Sequence, residues 1–183
     1  MPTGLKATSE PIAISAVFNQ GTNNAFEVKR MDLQLNPLDL EVFVVTGVKI
    51  DFLNMPGRVP HGVNGTFFPE YEAAVAKSLP TSMPTIGSSN CVGYANLLAQ
   101  QTSGGSGSTA TIHSIIESNS TDTPPADMDY LDIIATSDFF LAVDSNAVGP
   151  GETLSVAIRV HGYRARATAA QYAALVQSEQ LSL

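Results

Sequence analysis

The chain has 183 residues, enough for one domain with a real core, and its 44% apolar content is ordinary for a globular protein. Charged residues are only 14%, with 17 acids against 9 bases and a formal net charge of −8. A nucleic-acid binder carries a basic stripe or arm, whereas residues 1–30 hold only Lys6, Lys29 and Arg30, so no direct contact with nucleic acid is expected. Cys91 stands alone, which excludes a disulfide within the chain. No apolar run approaches the ~18 residues of a transmembrane segment. Met1–Lys6 has no apolar run of the secretory kind, so the expected site of synthesis is the cytosol. Ser, Thr, Asn, Gln and Gly take the place of charge. Such a surface is cheap to desolvate against another protein, which favours a subunit that packs on neighbours, although extracellular β domains share the trait.

In chain order, Pro11–Phe18 predicts a strand and Gln20–Asn24 a turn. Ala25–Leu35 predicts a second strand. There Phe26 and Val28 share one phase and Met31, Leu33 and Leu35 the other, with Lys29-Arg30 a candidate bulge. Asn36-Pro37 ends it. Leu40–Leu53 is a long strand pattern in which Val48, Ile50 and Phe52 alternate with Lys49 and Asp51, and Gly47 marks a bulge, bend or crossing. Residues 54–90 form a proline-rich excursion, inside which Glu70–Leu79 predicts a short helix, with Pro69 at its first turn and acids at its positive end. Val92–Gln100 fits a strand better than a short helix, Thr102–Thr109 a Gly/Ser loop tip, Thr109–Ile116 a strand and Ser118–Ala126 a loop.

The last third is the clearest. Tyr130–Asp144 reads as one apolar, β-prone strand and Asn146–Glu152 as a turn. Thr153–Val160 then alternates, with Leu154, Val156, Ile158 and Val160 on one face. After Val160 the apolar phase passes to Tyr163 and Ala165, and a bulge at Gly162 would absorb that slip. Thr168 is the expected N-cap of an Ala-rich helix over Ala169–Leu181, whose Tyr172, Leu175 and Val176 share a face. So short a helix needs a surface to pack on. The whole pattern points to an all-β sandwich or barrel of roughly eight strands, in a single domain over residues 1–183.

Chemistry is scarce. His61, His113 and His161 have no ligand spacing, so no metal site is expected. Asp127, Asp129, Asp132, Asp138 and Asp144 crowd one region; they read as solvated strand ends and loops, with a structural cation near Asp127 and Asp129 as the alternative. Cys91 reads as a small buried hydrophobe. Asn64-Gly-Thr66 and Asn119-Ser-Thr121 match the glycosylation sequon without a secretory signal to support it. No nucleophile elbow, phosphate loop or dinucleotide fingerprint occurs. No catalysis, cofactor or small-molecule substrate is expected. Arg159, His161, Arg164 and Arg166 form the one local basic cluster, open to two readings: a solvated strand face paired with acids, or a subunit contact.

The strand number, the proline-rich excursion, the charge-poor surface and the closing segment Gly162–Val176 together resemble a single jelly-roll viral capsid protein. Within that class the chain resembles the small major capsid protein of icosahedral, membrane-containing double-stranded DNA viruses of archaea and thermophilic bacteria. The resemblance implies a jelly-roll β-sandwich with a short helix in the middle excursion and another at the C-terminus. It implies a virion structural protein, repeated in an icosahedral shell, that associates with itself and with a second capsid protein and lies near an internal membrane. The missing basic arm fits a shell that a membrane separates from its genome. The expected contact residues are Arg159, His161, Arg164, Arg166, Tyr172, Leu175 and Val176. The alternative is a non-catalytic β-sandwich binding module for carbohydrate or protein; the chain has no Trp and five scattered Tyr to serve as sugar platforms.

Overall fold

Strand segments with one apolar face must pair and then cover that face. The computed structural model describes residues 4–22, 25–54, 64–104, 111–118, 121–124, 126, 128–146 and 153–181. The strands are β1 (Lys6–Ala7), β2 (Ile12–Asn19), β3 (Glu27–Asp32), β4 (Glu41–Asn54), β5 (Asn64–Phe67), β6 (Glu70–Ala76), β7 (Cys91–Gly104), β8 (Thr111–Ser118), β9 (Thr121–Asp122), β10 (Asp132–Ile134), β11 (Asp138–Ser145) and β12 (Ser155–Arg166), followed by helix α1 (Ala169–Leu181).

They form two antiparallel sheets. In sheet A, β12 lies between β4 and the pair β1 and β2, and β4 carries β9 and β10 on its other edge. Sheet B runs β3–β11–β6–β7, with β5 and β8 paired to β7. Its eight main strands, β2, β3, β4, β6, β7, β10, β11 and β12, fall in sheets A, B, A, B, B, A, B and A in chain order. That alternation is the jelly-roll topology.

The core lies between the sheets. Phe43, Val45, Val48, Ile50, Val156, Ile158 and Val160 from sheet A meet Tyr71, Ala73, Val75, Ala95, Leu97, Phe139, Leu141 and Val143 from sheet B. A second, smaller core lies on the outer face of sheet A, where Leu5, Val42, Val44, Ala135, Ala165 and Ala167 are covered by Tyr163, Tyr172, Leu175 and Val176. At one end the buried Gln20 ties the layers together: Ser145 Oγ donates to its Oε1 at 3.1 Å, and its Nε2 donates to the Ala25 carbonyl. Such buried polar groups persist because each is satisfied.

Five expectations change. Ser118–Ala126 is not all loop: Thr121–Asp122 is strand β9, paired with Lys49 and Val48 of β4. Glu70–Leu79 is no helix: residues 70–76 are strand β6, inserted between β11 and β7. Alanine content favours a helix, but Tyr71, Ala73 and Val75 point into the core at period two, and sheet pairing on both edges decides. Tyr130–Asp144 is two strands. It leaves sheet A after Ile134 and enters sheet B at Asp138. Lys29-Arg30 is not a bulge, since β3 pairs with β11 in unbroken register; Lys29 stands at the open edge of the sandwich and donates to the Val17 carbonyl. Gly162 does sit opposite a bulge, but the extra residue is Thr46 on β4, as His161 pairs with Gly47 and Gly162 with Val45. The phase of β12 never slips: Tyr163 and Ala165 are apolar because α1 covers the outer face there. Val92–Gln100 lies within strand β7 as expected.

Gly162 is required by space. A Cβ there would stand 2.3 Å from the Val44 carbonyl oxygen and 2.7 Å from Cζ of Phe43, whereas at Gly47 the nearest atom would be 3.6 Å away. Gly162→Ala should therefore cost about 1–3 kcal/mol, and Gly47→Ala should be neutral or slightly stabilising. Urea denaturation of the two variants checks the contrast.

Candidate subunit-contact surface

Strand β12 presents its residues alternately. Val156, Ile158 and Val160 enter the core, so Arg159 and His161 stand exposed on the outer face of sheet A. Arg159 Nε donates to Ser15 Oγ at 3.1 Å, and no carboxylate pairs with it among the described residues. Past the bulge, Arg164 turns to the end of the sandwich. Its Nη2 donates to the Leu33 carbonyl at 3.0 Å, and Nη1 lies 3.9 Å from Glu41. Arg166 pairs with Asp39 at 3.4 Å, both exposed. The basic cluster thus divides into an open half, Arg159 and His161, and a half already paired within the chain.

Thr168 caps α1 as expected: its Oγ1 accepts from the Gln171 amide at 3.3 Å, and its carbonyl accepts from the Tyr172 amide at 2.9 Å. Tyr172, Leu175 and Val176 are half-buried against the outer face of sheet A. The helix holds a single charged residue, Glu179, and that one is buried. Its carboxylate accepts from the amides of Ala135 at 2.6 Å and Thr136 at 3.0 Å. Those amides sit where the chain leaves sheet A for sheet B, and a buried amide left unpaired there would cost about 1–3 kcal/mol. Burial pushes the Glu179 carboxyl above its ordinary value, and the two amides, Thr136 and Lys77 oppose that push. The exposed residues of α1 are Ala169, Ala170, Ala173, Ala174, Gln177, Ser178, Gln180 and Leu181.

Two concavities flank this region. One, of about 350 Å³, lies on the outer face of sheet A and is lined by Ser15, Val17, Lys49, Asp51, Ala157 and Arg159. The other, of about 430 Å³, lies beside α1 and is lined by Ser89, Ala174, Gln177, Ser178 and Leu181. On the opposite face of the sandwich, Tyr94 donates to Glu72, and Asn96 donates to Glu70. Burial and then the bond to Glu72 push the Tyr94 hydroxyl up to about 12.

The remaining candidates do not converge. His161 is on sheet A and His113 on sheet B, and His61 lies outside the described residues. Asp132 pairs with Lys77 and Asp138 with Arg30; Asp129 is exposed, and Asp127 and Asn119 lie outside the described residues. Among the described residues no group of three or more His, Cys, Asp or Glu could hold a metal ion. The Cys91 thiol donates to the Gly93 carbonyl, and burial, with Asp122 adding to it, pushes it up to about 11, which leaves it a poor nucleophile at neutral pH. No described helix is long and apolar enough to cross a membrane. Sequence reasoning missed Lys49 and Glu179. For Glu179 the available signal was a lone carboxylate in an otherwise uncharged helix. For Lys49 there was none, because its partner across the sheet depends on register.

No family model matches the chain, and no curated protein matches it. Among solved structures, Merkel cell polyomavirus VP1 in complex with 3'-sialyllactosamine is similar at 9% identity and a TM-score of 0.46, covering 87% of this chain and 97% of that one. Trichodysplasia spinulosa-associated polyomavirus VP1 is similar at 7% identity and a TM-score of 0.40, covering 89% and 98%. The unassembled VP1 pentamer of KI polyomavirus is similar at 11% identity and a TM-score of 0.37, covering 78% and 74%.

Glu179 should make stability depend on pH. Its folded pKa lies above the ordinary 4.5. Above pH 4.5 the folded state therefore holds this proton more tightly than the unfolded chain does. The contribution is full below that value and is lost as pH rises through the folded pKa. Wild type should gain stability relative to Glu179→Gln as pH falls from neutral toward 5, which urea midpoints measured across that range will show.

Proposed function

We propose that the chain is a structural subunit of a virion shell that acts through protein–protein contacts and not through catalysis. One observation carries the reading. A surface helix turns its only charge inward and leaves an outward face of Ala, Gln, Ser and Leu beside a concavity. Charged residues are the type most depleted from interface cores, so this face suits burial against protein. Exposed Leu79, at 53%, and Ile86, at 74%, add large apolar groups elsewhere on the surface. The jelly-roll topology is compatible with a shell, but that fold also serves lectins and enzymes and does not by itself assign a role.

The finer reading is an icosahedral shell around an internal membrane, built from this chain and a second capsid protein. One feature supports it: the acidic balance, 17 acids against 9 bases. A shell protein in direct contact with packaged nucleic acid would need cations to neutralise phosphates. Arg159 and His161, with the helix face, are the proposed subunit contacts. Arg164 and Arg166, already held by Glu41 and Asp39, contribute by shaping the surface beside them.

Antibodies against this chain should label the exterior of source particles at high copy number. Labelling confined to cytosol, with none on particles, would remove the shell reading and promote the binding module. A milder test uses Ala174→Glu. The charge falls on an exposed helix position, so fold stability should stay within ~0.5 kcal/mol of wild type, while incorporation into particles drops. Equal incorporation would show that this face meets no neighbour.

A further inference from the structure

Strand register sets two like-charge pairs on opposite faces of the sandwich. On sheet A, Arg159 of β12 lies directly opposite Lys49 of β4. Val48, Ile50, Ile158 and Val160 are core residues, so both cations project from the outer face. On sheet B, Asp144 of β11 lies directly opposite Glu72 of β6. Tyr71, Ala73 and Val143 are core residues, so both acids project from that sheet's outer face. Like charges directly opposite one another destabilise an antiparallel ladder. A sequence that keeps two such pairs, of opposite sign, breaks a local rule twice, and such breaks concentrate where something outside the isolated chain compensates.

Local partners leave charge on each face. Lys49 reaches Asp51 at 3.2 Å, with both side chains about half exposed, and among the described residues Arg159 has only the Ser15 hydroxyl. The two cations and one acid leave one positive charge beside the 350 Å³ concavity that these residues line. His161 follows Arg159 on the same face. On sheet B, Glu70, Glu72 and Asp144 have no ion pair among the described residues. Their partners are neutral donors: the Tyr94 hydroxyl, the Asn96 amide and the Ser145 backbone amide. In a chain of net charge −8, the basic patch is the exception and the acidic face is its natural complement.

We infer that the open half of sheet A's outer face docks onto the outer face of sheet B in a second copy of the chain, with Lys49 and Arg159 of one copy against Glu72 and Asp144 of the next. The inference rests on the reading of the chain as a repeated subunit. The two patches lie on opposite sides of one sandwich, so the contact is head-to-tail, and each copy can use both faces at once. Contacts of that kind close into rings or run on as filaments and do not stop at a symmetric dimer. Screening weakens contacts between exposed charges, so this association falls with added salt.

Sedimentation of the full chain over a concentration series tests this. Wild type should self-associate at low salt. Lys49→Glu with Arg159→Glu makes both faces acidic, and Glu72→Lys with Asp144→Lys makes both basic. Each double variant alone should associate at least ~10-fold more weakly. Mixed one to one, they should associate again, because each acidic face then meets a basic one. Misfolding could mimic the loss but not the recovery. Arg159→Gln, which only removes charge, should fall between wild type and reversal. Wild type that stays monomeric throughout, reversals without effect, or no recovery on mixing would each overturn the contact. Particle labelling decides the subunit reading separately, so labelled virions with indifferent reversals would sink this interface alone.

Discussion

The close approach of β12 to β4 at Gly162 organises the molecule. The Val44 carbonyl and the Phe43 ring occupy the space a side chain would take, so the two central strands of sheet A meet there without a spacer. Thr46 bulges from β4 at the same level, and the outer face changes character across the bulge. On one side Val42 and Val44 lie under α1. On the other, Lys49 and Asp51 face solvent beside Arg159. The inner face stays apolar throughout, because the bulge restores the inward phase with Val48 after Val45. One sheet therefore supplies a continuous core within and two distinct surfaces without.

The helix-covered half depends on an unusual bond. Glu179 reaches from α1 to the amides where the chain crosses between sheets. Those amides lie outside any ladder, and a charged acceptor suits them better than a neutral one. The same contact seats the only charge of the helix inside. The helix is thus held by its one charged residue on one side and left uncharged on the other. Docking of α1 and exposure of an uncharged outer face are two results of one placement.

Most strands were legible because period-two patterning survives wherever one face is buried. Leu154, Val156, Ile158 and Val160 are all buried, as their alternation requires. The failures have physical causes. Residues 70–76 carry helix-favouring alanines, and only their position between β11 and β7 makes them a strand. The break at Ala135–Ser137 has no glycine or proline to announce it; the crossing is stabilised by Glu179, some forty residues further along. Gly162 was legible as a bulge position, yet the phase argument behind it failed, since the change in apolar residues on β12 reflects the helix above and not a slip within. The basic cluster was found, but its division was not, because Arg164 and Arg166 meet acids that only the fold brings near.

The contact surfaces were the least legible part, and the reason is general. Whether a charge is satisfied depends on its neighbours across the sheet, and those neighbours are set by register over distances that sequence spacing does not show. Lys49 and Arg159 are separated by more than a hundred positions, yet register places them side by side. The same ladder logic places Glu72 beside Asp144. A chain that folds alone gains nothing from keeping like charges adjacent, because a neutral or opposite residue at either position would serve the ladder better. A chain that must meet copies of itself has a use for them. Within one molecule solvent screens the exposed Lys49–Arg159 pair, and neutral donors hold the half-buried Glu72 and Asp144. In the proposed contact the same charges would set which face meets which.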